Sequence, residues 1–311
     1  MIMNRLKGFL MVIAGAGLWG LSGTAAQYLF QKDNISMEWL VTIRLVISGL
    51  LLIIMATLKG DKRVWRIWRD KSSIIKILIF GILGMLGVQY TYFASIDAGN
   101  APIATLLQYL GPVFIALYIL FRYKTIPTLR EIISIILALL GTYFLLTNGS
   151  VHSLTVSGKA VFWGVLSGVA LAFYTLYPGE LLKKWGSFTV IGWGMLIGGI
   201  GMSLKNPPWQ IHQFHASLTS LLLIGFVVLF GTLIAFYLYL ESLKYISPKE
   251  TSLLGCMEPL SSVISSVIFI HVPFGLYQTF GTICIIAMVV VSSKKSKKKN
   301  QPLILDEKKT G

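Results

Sequence analysis

Charge is what this chain has least of. Asp, Glu, Lys and Arg make up 13% of 311 residues, and only 12 residues are acidic. A soluble domain needs polar surface to cover its apolar core, and this composition, 55% hydrophobic with mean hydropathy +0.75, leaves too little of it. Cysteine is nearly absent. Cys256 and Cys284 both lie inside apolar runs, which excludes a disulfide framework and a thiolate metal cage and reads as buried thiols packed like small hydrophobes. The four histidines, His152, His212, His215 and His271, fall in loops or at the ends of apolar runs. There is no HExxH, no aspartate pair within an apolar run and no GxxxxGK[ST] loop, which removes zinc proteolysis and direct nucleotide drive as readings. No cofactor and no metal is expected.

What the chain does have is long, continuous apolar runs. About 20 such residues cross the hydrocarbon core as a helix, whereas porin strands alternate over segments of about 10. The pattern therefore predicts an all-α membrane protein. Ten spans are expected, near residues 6–30, 36–58, 73–96, 101–121, 130–147, 157–178, 188–203, 217–241, 248–270 and 273–293. An even number puts both chain ends on one side. Of the 27 Lys and Arg, all but Lys32, Lys159, Lys205 and Arg44 then fall on that side too. The positive-inside rule makes it the cytoplasm. The net charge of +15 is thus a loop asymmetry, and no nucleic-acid partner is expected. The first run is too long for a signal-peptide core and lacks a clear cleavage site, so it reads as a retained span of a cell (plasma or inner) membrane protein. Residues 294–311 form a basic, cytoplasmic, disordered tail drawn to the anionic leaflet.

Two stretches say the same thing in different letters. Asn100–Pro112 is NAPIATLLQYLGP and Ser247–Pro259 is SPKETSLLGCMEP, with Leu-Leu and the closing proline in register. Trp19-Gly20 recurs as Trp163-Gly164. The chain divides into a first repeat, 6–147 (spans 1–5), and a second, 157–293 (spans 6–10), joined by the polar, turn-forming TNGSVHSLT. Five spans is an odd number, so the two repeats must insert in opposite orientations. Inverted repeats are a transporter architecture, with substrate bound near the midplane between them.

These residues resemble a known family. Trp19-Gly20, Arg44, Tyr92-Phe93-Ala94 and Leu106-Leu107…Pro112 look like one EamA repeat of the drug/metabolite transporter superfamily. Trp163-Gly164, Phe236-Tyr237…Ser242 and Leu253-Leu254…Glu258-Pro259 look like the second. The resemblance implies a ten-helix carrier with a central cavity lined by spans 3, 4, 8 and 9. Its substrates would be amino acids, related metabolites or amphiphilic drugs; efflux is the working hypothesis, with import versus export left open. One departure stands out: Lys124 and His271 occupy places where members often carry a glutamate.

Ionisable groups inside a bilayer cost about 3 kcal/mol on insertion scales, so they face a cavity or a partner. Glu258, expected about ten residues into span 9, is the leading candidate for a proton or substrate-ammonium site; the rival reading makes it a structural partner of Arg44 or of a freed backbone group. For Arg44 itself, a structural role stands beside binding of a substrate carboxylate. Gln89, Tyr92 and Gln108 are cavity candidates because polar groups in lipid need partners. Trp19, Trp163 and Tyr237 are candidates for an aromatic wall, with packing or an interfacial belt as the alternative. Pro112 and Pro259 each free a carbonyl about four residues back, at Gln108 and Gly255, and predict breaks at matching depth. The expected partners are a small-molecule substrate and the lipid bilayer, with proton coupling and a homodimer left open. An uncoupled facilitator or lipid flippase of the same fold is the alternative. A remote one is an intramembrane serine protease, from Gly20-Leu21-Ser22-Gly23.

Overall fold

A computed structural model of the protein describes residues 2–124, 128–150, 154–210, 217–242, 245–246, 251, 254–255 and 257–293. Cys256, His152, His212, His215, the stretch 247–250 of the second repeat motif and the tail 294–311 lie outside the described residues.

The described residues are helical almost throughout. We label the long helices α1 (Ile2–Gln31), α2 (Met37–Leu58), α3 (Lys71–Ala98), α4 (Ala101–Gln108 and Gly111–Tyr123), α5 (Leu129–Thr147) and α6 (Gly158–Leu176). They continue as α7 (Ser187–Ser203), α8 (Leu218–Gly225 running on through Phe226–Ile234 and Ala235–Ser242), α9 (Met257–Phe269) and α10 (Leu276–Ser293). Six are long and apolar enough to cross a membrane; the apolar stretches of α5, α7, α9 and α10 are shorter. Local sequence sets where several begin. Ser36, Asn100, Ser157 and Ser217 each accept a hydrogen bond from the backbone N–H three residues on, capping α2, α4, α6 and α8. All four starts belong to the same end of the bundle under the alternating layout.

Contacts between equivalent helices show how the repeats are related. On α2 and α7, Gly49 lies against Leu196, Gly199 against Val46, and Gly192 against Ile53. Numbers rise on one helix as they fall on the other, so the pair is antiparallel. The fifth helices behave alike: Gly141 meets Gly281, Gln278 donates to Leu145 O, and Gly275 abuts Asn148. The remaining contacts swap consistently, since α1 packs on α8 and α9 as α6 packs on α3 and α4. The molecule is two inverted five-helix repeats. The glycines of α7 sit in a continuous helix where α2 and α3 approach closely.

The repeated Trp-Gly has a steric cause. A Cβ on Gly20 would fall 2.3 Å from Glu258 O and 2.0 Å from Ser261 Oγ; one on Gly164 would fall 2.5 Å from Leu107 Cδ1. Each glycine lets the first helix of one repeat touch the fourth helix of the other. A second matched feature was not expected. Both α3 and α8 widen into π-helix, over Phe80–Leu86 and Phe226–Ile234, at corresponding depth in the two repeats. Lys124 and His271 correspond as well, each ending its helix in the left-handed region at φ 48° and 57°.

Candidate functional site

Between the repeats lies a cavity of about 1030 Å³. Trp19, Arg44, Gln89, Tyr92 and Gln108 come to its wall from the first repeat and Glu258 from the second. Six of the sequence candidates are thereby brought together. The wall runs to helix ends at Arg130, Pro178, Ser187 and Val291, so the cavity reaches one face of the bundle. On that face Lys59 lies over the Phe188 and Tyr237 rings, Arg63 against Gly186, and Lys7 over Tyr245. It is the face of the lysine- and arginine-rich connections.

Glu258 sits in the first turn of α9, just past a break at Gly255, not midway along an unbroken helix. Backbone N–H groups at a helix start favour a negative charge. Tyr109, at the matching break of α4, points its hydroxyl at Gly255 O (2.8 Å) and Glu258 Oε2 (3.1 Å). One phenol therefore bridges the broken helices of the two repeats, at a carbonyl that Pro259 cannot serve and that also accepts from Glu258 N at 2.9 Å. Gly111–Tyr123 starts with Pro112 in its first turn, and Pro259 lies in the first turn of α9. The side chain hydrogen-bonded to Glu258 among the described residues is Tyr109.

Arg44 is buried, and its Nε donates to Thr232 Oγ1 (3.0 Å). Thr232 passes the bond on to Val227 O, five residues back (2.9 Å). That i to i−5 reach is what the π segment of α8 creates, so the widened turn supplies Arg44 with its acceptor. The guanidinium lies over the Phe93 ring at 4.6 Å. No salt bridge joins Arg44 to Glu258 among the described residues, and both stand on the cavity wall, with Arg130 farther out toward its mouth. Gln89 and Gln108 add amides that make no side-chain hydrogen bond among the described residues.

Two candidates lie elsewhere. Trp163, the counterpart of Trp19, stands edge-on to Tyr90 at 5.5 Å, off the cavity wall. Tyr237 turns toward Lys59 and Phe188. The reason is helical phase: Phe236 and Tyr239, three apart, share the cavity face beside Trp19 and leave Tyr237 turned about 100° away. Ser22, the nucleophile of the protease reading, packs against Gly231, where a Cβ would approach its Oγ to 2.2 Å. The described histidine, His271, is exposed at a helix end.

Sequence reasoning missed the floor of the cavity. Thr24 Oγ1 meets Ser265 Oγ at 2.6 Å and Ser266 Oγ at 3.0 Å. Tyr92 shares a 2.8 Å hydrogen bond with Thr105, which reaches Ser262 at 3.5 Å. All these residues are buried. Just beyond, Gln27 accepts from Ala101 N and Gln31 donates to Gly99 O. This layer separates the central cavity from a second one of about 760 Å³ at the opposite end, bordered by Gln27, Asn148 and Gln278. The signal was present as serines at i and i+4, Ser261-Ser262 and Ser265-Ser266, on one helix face.

Two inverted helical repeats enclosing a charged cavity that reaches one face define a multi-pass membrane transporter. The chain belongs to the EamA-like transporter family, whose pattern matches residues 6–147 and 158–294. It is 35% identical to the inner membrane transporter YicL of Salmonella typhimurium, over 94% of this chain and 97% of that one. It is 25% identical to the threonine/homoserine exporter RhtA of Escherichia coli, over 96% and 94%. A solved crystal structure superposes with a TM-score of 0.63, covering 94% of this chain and 96% of its own at 16% identity, a likeness of fold alone.

Proposed function

We propose that the protein is a secondary carrier that exports small organic solutes bearing an ammonium group, amino acids or close relatives, by alternating access. The observation that carries this reading is the cavity between the repeats, with Glu258 and Arg44 both on its wall and not paired to each other. A zwitterion would satisfy both: its ammonium against Glu258, its carboxylate against the face of Arg44 left by Thr232. The name of RhtA, a threonine/homoserine exporter, agrees with that substrate class.

In this reading the ten helices cross the bilayer ten times with both termini in the cytoplasm, and the cavity mouth beside the basic connections faces the cytoplasm. Solute enters there and the buried hydroxyl layer closes the far side. Rocking of one repeat against the other would open that layer and close the mouth. Glu258 would hold either the solute's ammonium or a proton, which links the two flows. Thermal unfolding of purified protein with threonine, homoserine, other amino acids and simple amines tests the site. At least one of them should raise the Tm of the native protein and leave Glu258→Gln unmoved. Equal stabilisation of both proteins would remove Glu258 from the binding site.

A further inference from the structure

The connection between α2 and α3 carries residues that the cavity does not use. Residues 59–71 read KGDKRVWRIWRDK. A short helix, Arg63–Arg66, continues into a 3-10 turn, Ile67–Arg69, burying Val64 and Ile67 and leaving Arg66 and Arg69 exposed beside Trp65, which is 55% exposed. The second repeat pins this segment. Trp193 donates from Nε1 to Val64 O at 2.8 Å, and its ring stands edge-on to Trp65 and Trp68. It is a fixed surface.

The ion pairing on this surface decides what it can attract. Asp61 holds Arg63 through both oxygens, at 2.9 and 2.8 Å, and the guanidinium keeps that carboxyl below its ordinary range. Asp70 is bonded to Lys184, which lowers it likewise, and Glu180 is bonded to Lys76. The acids here are taken. Lys62, Arg66, Arg69, Lys71 and Lys183 are exposed and have no anionic partner among the described residues. Their counter-charge must come from outside the chain. The same patch exposes Trp65 and, at 82%, Leu58, so the fitting anion carries an apolar part. Tryptophan between basic residues at a helix end is the chemistry of the membrane–water interface.

We propose that this face binds anionic phospholipids of the surrounding bilayer, with phosphates between Lys62, Arg66 and Arg69 and acyl chains beside Trp65 and Leu58. The surface lies apart from the cavity wall, so lipid could bind here whatever solute the carrier moves.

The test uses the full chain in nanodiscs of phosphatidylcholine, with or without one third phosphatidylglycerol (a ratio of about 2:1, chosen to give a strongly negative surface). Thermal unfolding and native mass spectrometry of retained lipid are read together, so transport failure leaves the result intact. Phosphatidylglycerol should raise the Tm of the native protein and stay bound in preference to phosphatidylcholine. The triple variant Lys62→Gln/Arg66→Gln/Arg69→Gln should lose most of both effects. Lys32→Gln, at the opposite end, and the charge-keeping Arg66→Lys/Arg69→Lys should retain them. The proposal is overturned if the triple variant gains as much as the native protein, or if soluble glycerol phosphate reproduces the rise.

Discussion

At the scale of single residues, the charged groups of the cavity are held by hydroxyls that serve two partners each. Tyr109 shares its one hydroxyl proton between a carbonyl and a carboxylate, and Thr232 accepts from Arg44 while donating to Val227. Inside a bilayer, removing one such partner strands the other. Thr232→Val keeps the shape and deletes the acceptor of a buried guanidinium, so we expect a loss of about 1.5–3 kcal/mol, the cost of a hydrogen bond to a charged group. Thr232→Ser should recover most of it. Chemical denaturation in mild detergent measures both, and equal stability of the valine and serine variants would contradict the role given to Thr232. These pairings were only half legible. Glu258 and Arg44 stood out because charge is so scarce, but Tyr109 was one tyrosine among 13. Nothing in the letters distinguishes a phenol at a helix break from one in an interfacial belt.

At the scale of elements, small residues decide which helices can touch. Gly20 carries α1 against α9 so closely that a methyl group would overlap backbone at Glu258, whereas a Cβ on Gly17 meets nothing within 4 Å. Gly20→Ala should cost about 1–3 kcal/mol or more through overpacking. Gly17→Ala should be neutral or gain up to about 1 kcal/mol from helix propensity. Comparing Tm for the two variants tests the packing, and a milder effect at Gly20 than at Gly17 would refute it. The Trp-Gly echo and the paired prolines announced these approaches because glycine and proline have few other reasons to recur in register. The π segments of α3 and α8 were silent. An extra residue per turn is set by what the helix packs against, not by residue type, and Gly84 and Gly231 alone do not specify it.

At the scale of the whole molecule, the duplication does two jobs. It gives a pseudo-symmetric scaffold, which in the proposed mechanism lets the halves exchange conformations, and it leaves room for asymmetry at the site. Glu258 faces Gly111 in the repeat alignment, and Gln108 faces Gly255. Each repeat thus supplies chemistry where the other supplies space. Span periodicity and the sorting of basic residues made the inverted fold readable, because lipid constrains composition far more than water does. Closure by the hydroxyl layer was not readable, since which serines meet depends on two helices from different repeats. The direct measurement is solute flux in proteoliposomes made with native protein, with Glu258→Gln and with no protein. The account predicts saturable movement of an amino acid or related amine by the native protein that falls to the protein-free level with Glu258→Gln. Undiminished flux through Glu258→Gln, or no saturable flux of any ammonium-bearing solute through the native protein, would contradict it.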